Sequence, residues 1–299
     1  MGISAVSTAS TSSAWRCSPP LDERFRAPQT VNQSWAKRRA MKSSRESAKI
    51  PEIKPSEFPA ALFRSFEREL GRFNIQLCVA DAALQDFAIR VSTSPNILKD
   101  RVRRSGHHNL NTAELRVDLA LDFSYISHIS LLLSRMEQLC QSLRRHPYVN
   151  RDLNSSAQGD FLRRTLWVIL QSRSDTKIET PLDTGVLDEH LLPSNVTRFY
   201  AYRKLRNDLF HAGESATAAP STSLHPRFAD VLQCSKSLQS LARALCRALI
   251  DKPRLIRILE RRFRALAPAR RRNAAISALT QEYLLDATEA QAVLLEIAW

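Results

Sequence analysis

The chain has 299 residues, 43% of them hydrophobic, with 44 Lys and Arg against 30 Asp and Glu and a formal net charge of +14. That length and apolar content suffice for one sizeable core with appendages. No run approaches about 18 apolar residues, so nothing in the sequence reads as a membrane span, and the five scattered cysteines (Cys17, Cys78, Cys140, Cys234, Cys246) never pair as CxxC, which argues for reduced thiols in the cytoplasm and against a zinc knuckle.

With only 6 glycines, and turn residues gathered between long periodic stretches, the sequence predicts an all-α fold. The charge is unevenly placed. Residues 1–55 carry ten Lys/Arg against four acids, 56–251 carry 25 against 21, 252–272 carry nine against Glu260 alone, and 273–299 carry none against four. The excess therefore sits at the two ends. Density of this kind favours a polyanionic partner, nucleic acid above a membrane surface.

Residues 1–55 are rich in Ser, Thr, Pro and basic side chains and read as a disordered basic tail. The start GISAVSTASTSSAW lacks the apolar stretch of a signal peptide, Val6 breaks the myristoylation pattern, and a transit peptide or a start at Met41 stays open. From Ser56 the pattern turns helical. Phe58, Leu62, Phe66, Leu70 and Phe73 recur at helical spacing, and a second helix is expected from about Ile75 to Val91. Ser94-Pro95 and a basic loop (RVRRSGHHN) complete an accessory region to residue 110.

Asn111 with Glu114 resembles a capping box and opens a long helix reaching Arg145. Its inward stripe is Leu115, Leu119, Ile126, Ile129, Leu133, Met136, Cys140 and Leu143. A polar connection follows, then a shorter helix from Asp160 with Phe161, Leu162, Leu166, Ile169 and Leu170 inward. Residues 173–193 read as a loop holding a surface His190. Ser194 is a good N-cap for the next helix, and Pro226 opens a further one to about Ile250. The four helices of 111–250 would make a four-helix core. Pro253 and Pro268 then mark starts within a basic extension, 251–299, whose last helix is capped by Asp286 or Thr288.

The helix from Ser194 carries the most informative stretch, FYAYRKLRNDLFHAGES (199–215). On a helical wheel with Asn207 at zero, Tyr202, Leu205, Leu209 and Ala212 lie within roughly 40° of the opposite side and form a core stripe. Arg203, Asn207, Phe210, His211 and Glu214 share the other face, with Arg206 at its edge. Gly213 supplies a C-terminal stop. A face holding Arg, Asn and His beside Phe is an unusual filling for a merely solvated surface.

RNDLFH (Arg206 to His211) resembles the Arg-x4-His motif of HEPN domains, an all-helical family in which a polar residue, often Asn, follows the Arg. The resemblance covers residues 112–250, with some ten residues specific. It implies a metal-independent ribonuclease of a bacterial toxin or antiviral system, with Arg206 and His211 catalytic and Asn207 supporting. It also implies a homodimer with a composite site, and it brings a regulatory or antitoxin protein into view. Members silenced by AMP transfer carry Tyr two residues after the His, where this chain has Gly213. Arg101 and Arg103 stand at similar spacings from His107 and His108, but with Ser-Gly between them and no core stripe.

The residue chemistry agrees with RNA cleavage. Histidine titrates near neutrality and can exchange the proton of a 2′-OH or a leaving 5′-oxygen. Arginine stays charged and grips phosphate oxygens with a planar fork. In an ideal helix Arg206 and His211 are about 140° apart and ~7.5 Å along the axis, so side-chain reach, a distortion or a second protomer must close the site. HExxH, P-loop and GxSxG patterns are absent, and neither metal nor cofactor is expected. RNA contacts are expected from Arg203 and Lys204, and from Arg261, Arg262, Arg264, Arg270, Arg271 and Arg272 in the extension, which as a DNA-binding module would instead make the chain a regulator. A third reading is a HEPN-like module that binds RNA or nucleotide without cleaving it.

Overall fold

A computed structural model describes residues 52–94, 96–106, 117–154, 160–173, 190–211 and 226–297, with the backbone alone at 118, 119, 154 and 209–211. Among these residues the fold is all-α, with short 3₁₀ turns and no strand. The tail 1–51, the Asn111/Glu114 capping box, Leu115, His107, His108 and Gly213 lie outside the described residues.

Helix α1 (Pro59–Thr93) is one continuous helix, not the two the periodicity suggested. Its inward line runs on unbroken through Phe63, Phe66, Leu70 and Leu77. Asn74, at the expected break, sends its side-chain amide to Ser235 Oγ at 2.9 Å, so it does not compete with its own backbone for hydrogen bonds. Ser94 ends α1 as expected. The basic loop is in part a helix, α2 (Asn96–Arg104), carrying Arg101 and Arg103. No Gly or Pro interrupts it before Gly106, which adopts φ 84°.

Helix α3 (Val117–Arg144) buries Ile126, Ile129, Leu133, Met136, Cys140 and Leu143, the line expected of it. Its polar connection to the next helix proves less exposed than its composition suggests. His146, Tyr148 and Val149 are buried there. The Tyr148 N–H donates to His146 Nδ1 (3.1 Å), which makes Nε2 the protonated nitrogen, donating to the Glu57 carbonyl (2.9 Å). Helix α4 (Phe161–Gln171) starts as predicted, with the Asp160 carboxylate accepting from Leu162 N (3.0 Å) and Arg163 N (3.3 Å).

Helix α5 (Pro193–His211) begins one residue early. Leu192, at φ 63°, accepts from Asn195 N and Val196 N, so Ser194 lies inside the first turn instead of capping it. Helix α6 (Phe228–Ala248) closes the bundle, its Asp230 carboxylate accepting from Arg227 N at 2.8 Å. Helices α1, α3 and α6 pack on one another, and α4 and α5 pack on α3 and α6. The five share one apolar core, so the accessory N-terminal helix is part of the wall that supports α5.

The C-terminal extension forms α7 (Lys252–Phe263), α8 (Pro268–Tyr283) and α9 (Ala287–Leu294); Asp251 caps α7, Pro268 is the first residue of α8, and the Asp286/Glu289 box caps α9. It has its own small core of Leu255, Leu259, Phe263, Leu279, Tyr283 and Val293, with Phe58 packed edge-on to Tyr283 at 5.6 Å.

Candidate functional site

The site helix α5 holds no Gly or Pro after Pro193. Its inward line is Val196 and Phe199, both buried, followed by Tyr202 and Leu205, which are partly buried against the core. The expected stripe is thus present at Tyr202 and Leu205 and extends further towards the N-terminus than the wheel suggested. Phe199 is fully buried and meets Phe161 of α4 edge-on at 5.4 Å.

Arg206 and Asn207 come together. The guanidinium donates from Nε and Nη2 to Asn207 Oδ1, both at 3.2 Å. From Nη1 it also reaches Glu137 Oε1 of α3 at 3.4 Å. Asn207 thereby fixes the plane of the fork, and Glu137 supplies a carboxylate that any incoming phosphate must compete with. The Arg206 side chain keeps 21% of its exposure and Glu137 keeps 35%, so the pair is neither sealed nor fully solvated. His211 is the last residue of the helix, five positions on; its side chain, with those of Leu209 and Phe210, lies outside the described residues.

Around this pair the flank of α5 is lined by guanidiniums set against rings. Arg203 lies over Phe161 at 5.5 Å, with its Nε buried and, among the described residues, without a hydrogen-bond partner. Arg163 lies over Tyr200 at 4.8 Å. The Tyr200 hydroxyl donates to Asp160 Oδ2 at 2.5 Å, so one carboxylate caps α4 and also anchors the ring under Arg163. Stacking of this kind holds a guanidinium flat against the ring. Burial, and then the neighbouring Arg164, hold the Arg144 guanidinium below its ordinary value.

Lys204 is drawn away, to Asp208 at 2.6 Å on the exposed side. Sequence reasoning missed Glu137, Arg163 and Tyr200, and read Asp160 only as the start of its helix. The carboxylate of Glu137 is 69 residues from its partner and sits beside the core residue Met136, with nothing in the local pattern to mark it.

The six arginines of the extension divide. Arg262 forks onto Glu282 at 2.6 and 3.0 Å, a bond that raises its pKa above the usual guanidinium value. Arg271 donates to the carbonyls of Leu266 (2.6 Å) and Arg264 (2.8 Å), closing the end of α7, and Arg272 donates to Gln291 at 3.0 Å. Arg261, Arg264 and Arg270 are exposed and make no side-chain hydrogen bond or ion pair among the described residues.

No family model, no curated protein and no solved structure matches this chain. Among the described residues no helix is long and apolar enough to cross a membrane.

Proposed function

We propose that the chain is a HEPN-like, metal-independent endoribonuclease, acting in the cytoplasm in a bacterial defence or toxin setting. The observation that carries this reading is the Arg206–Asn207 pair. An amide adjacent in sequence holds the guanidinium by two of its N–H groups, on the helix that ends in His211. This is the arrangement the RNDLFH motif calls for, with a cation pre-oriented for a phosphate and a proton-transfer group beyond it.

In the reaction, the RNA 2′-oxygen attacks the adjacent phosphorus and the P–O5′ bond breaks. The proton lost from the 2′-OH is balanced by one gained at O5′. His211 handles one of these transfers, and Arg206, displaced from Glu137, meets the charge that builds on the phosphoryl oxygens. Products are a 2′,3′-cyclic phosphate and a 5′-hydroxyl. A homodimer that brings a second His211 to the cleft would close the ~7.5 Å axial gap between the motif residues, and a regulatory protein is a further expected partner.

The Glu137 carboxylate favours a second reading, a module that binds RNA without cleaving it, because it already neutralises Arg206 in part. End-group analysis of RNA incubated with the purified chain in a metal chelator separates the two. Cleavage with a cyclic phosphate end supports the nuclease, while binding without any new ends leaves the second reading standing.

A further inference from the structure

Helix α1 buries one face and leaves a second, equally regular line in solvent. Phe63, Phe66, Leu70 and Leu77 face the core, against which α3 and α6 also pack. Roughly opposite them, at ~100° per residue, run Arg68, Arg72, Ile75, Val79, Ala82 and Asp86, in alternating steps of four and three residues. All six are exposed, Ile75 and Val79 at 66% each. The contacts of α1 leave this line clear. Asn74 bonds Ser235 on the α6 side and Glu69 reaches Arg135 on the α3 side. Helix α2 meets α1 across a cleft lined by Ala83, Phe87 and Arg90, with Asp86 at its rim.

That spacing is the a/d seam of a coiled coil, here ~27 Å long at 1.5 Å per residue. The order of its residues points to the partner. Two cations stand at the N-terminal end, two β-branched aliphatics at the centre, and a carboxylate at the other end. Arg68 and Arg72 make no hydrogen bond or ion pair among the described residues. Asp86 meets Arg90 one turn on at 2.9 Å, an exposed pair of the kind that contributes little.

We infer that this line of α1 pairs with the same line of a second copy of the chain, antiparallel, about a two-fold axis at Leu77. The pairing is isologous. It packs Ile75 of each copy on Val79 of the other, lays Arg72 over Ala82, and sets Arg68 opposite Asp86 at both ends. Other alignments conflict with themselves. A slip of one heptad puts Ile75 against Asp86 or against Arg72, and a parallel pair opposes Arg68 to Arg68 and Asp86 to Asp86. A lipid surface suits the line less well, because its charges lie on the apolar line instead of on a separate polar face. The contact lies on α1, apart from any that would complete the His211 site, and it does not rest on the cleavage reading.

The test is sedimentation velocity on the full chain, without RNA, across a concentration series. Replacing Ile75 and Val79 together by Asp should halve the mass of the assembly that the wild-type chain forms. Arg68→Glu or Asp86→Arg alone should raise the dissociation constant by at least about tenfold, and the two together should return it to within about threefold of wild type. Rescue by the double swap cannot come from a misfolded chain, and it is specific to the antiparallel register. A wild-type chain that stays monomeric, a mass unchanged by the Asp variant, or a double swap that restores nothing overturns the proposal. Binding of a monomeric wild-type chain to phosphatidylserine vesicles, lost in the Asp variant, gives the line to a membrane and also overturns it. Because mass is read without RNA, failure of the nuclease reading leaves this result standing.

Discussion

Arginine is used in two opposite ways in this molecule. On the flank of α5, Arg163 and Arg203 rest on the rings of Tyr200 and Phe161, and Arg206 is held by a neutral amide and one carboxylate. At the corner of α7, α8 and α9, Arg262, Arg271 and Arg272 are tied to Glu282, to backbone carbonyls and to Gln291. The corner has the denser run of positive charge in the sequence, yet half of the six arginines singled out there stitch helices together. The comparison teaches that a charge run identifies a candidate surface, while the partners of each guanidinium separate a ligand-facing cation from a structural one.

The largest expected effect is on the platform beneath the α5 flank. Phe199→Ala should cost about 3–5 kcal/mol, because it empties a fully buried position between α4 and α5. Chemical denaturation followed by circular dichroism measures it, and a loss under 1 kcal/mol would mean the flank does not depend on that ring. Next in size is Arg206→Ala, which should lower the cleavage rate with the helical fold retained. Arg206→Lys should restore it only in part, since a point charge cannot satisfy Asn207 and a phosphate with one planar fork. Full rescue by Lys would show that the orientation given by Asn207 is irrelevant.

Most of the bundle was legible in the sequence because helical periodicity depends only on local spacing. Ile129, Leu133, Met136, Cys140 and Leu143 were assigned inward and are buried, and Asp160 caps the helix it was expected to start. The errors fell where a distant residue decides. Two helices were expected where one runs from Pro59 to Thr93, its Asn74 side chain bonded to Ser235, and His146 to Val149 looked polar until Glu57 and Tyr148 satisfied the imidazole. The same holds for the site. Arg206 and Asn207 are adjacent and could be read from the motif, but Glu137 requires a contact across 69 residues.

Smaller effects sharpen the contrast from the other side. Burial holds the His146 imidazole below its ordinary value, partly offset by the Glu57 carbonyl. The folded state therefore resists the proton that the unfolded chain accepts near pH 6.5. Between the two values the unfolded state binds more protons, so stability should rise with pH in that window and fall as pH drops below about 6.5. Thermal melts across that range, compared with His146→Gln, test it; a variant that keeps the full acid sensitivity would remove His146 as the cause. The smallest effect is expected at the corner, where Glu282→Gln weakens an exposed Arg262 fork worth about 0–1 kcal/mol and should leave RNA cleavage untouched.

The most direct measurement is single-turnover cleavage at saturating RNA, comparing His211→Ala with a triple variant of Arg261, Arg264 and Arg270 to Gln. The account predicts that His211→Ala slows the chemical step by roughly 10²–10⁴-fold at every RNA concentration. The triple variant should lose only affinity and reach the wild-type rate once RNA is saturating. A His211→Ala protein that is folded and fully active, or a triple variant whose saturated rate collapses, would contradict the assignment of the chemistry to α5.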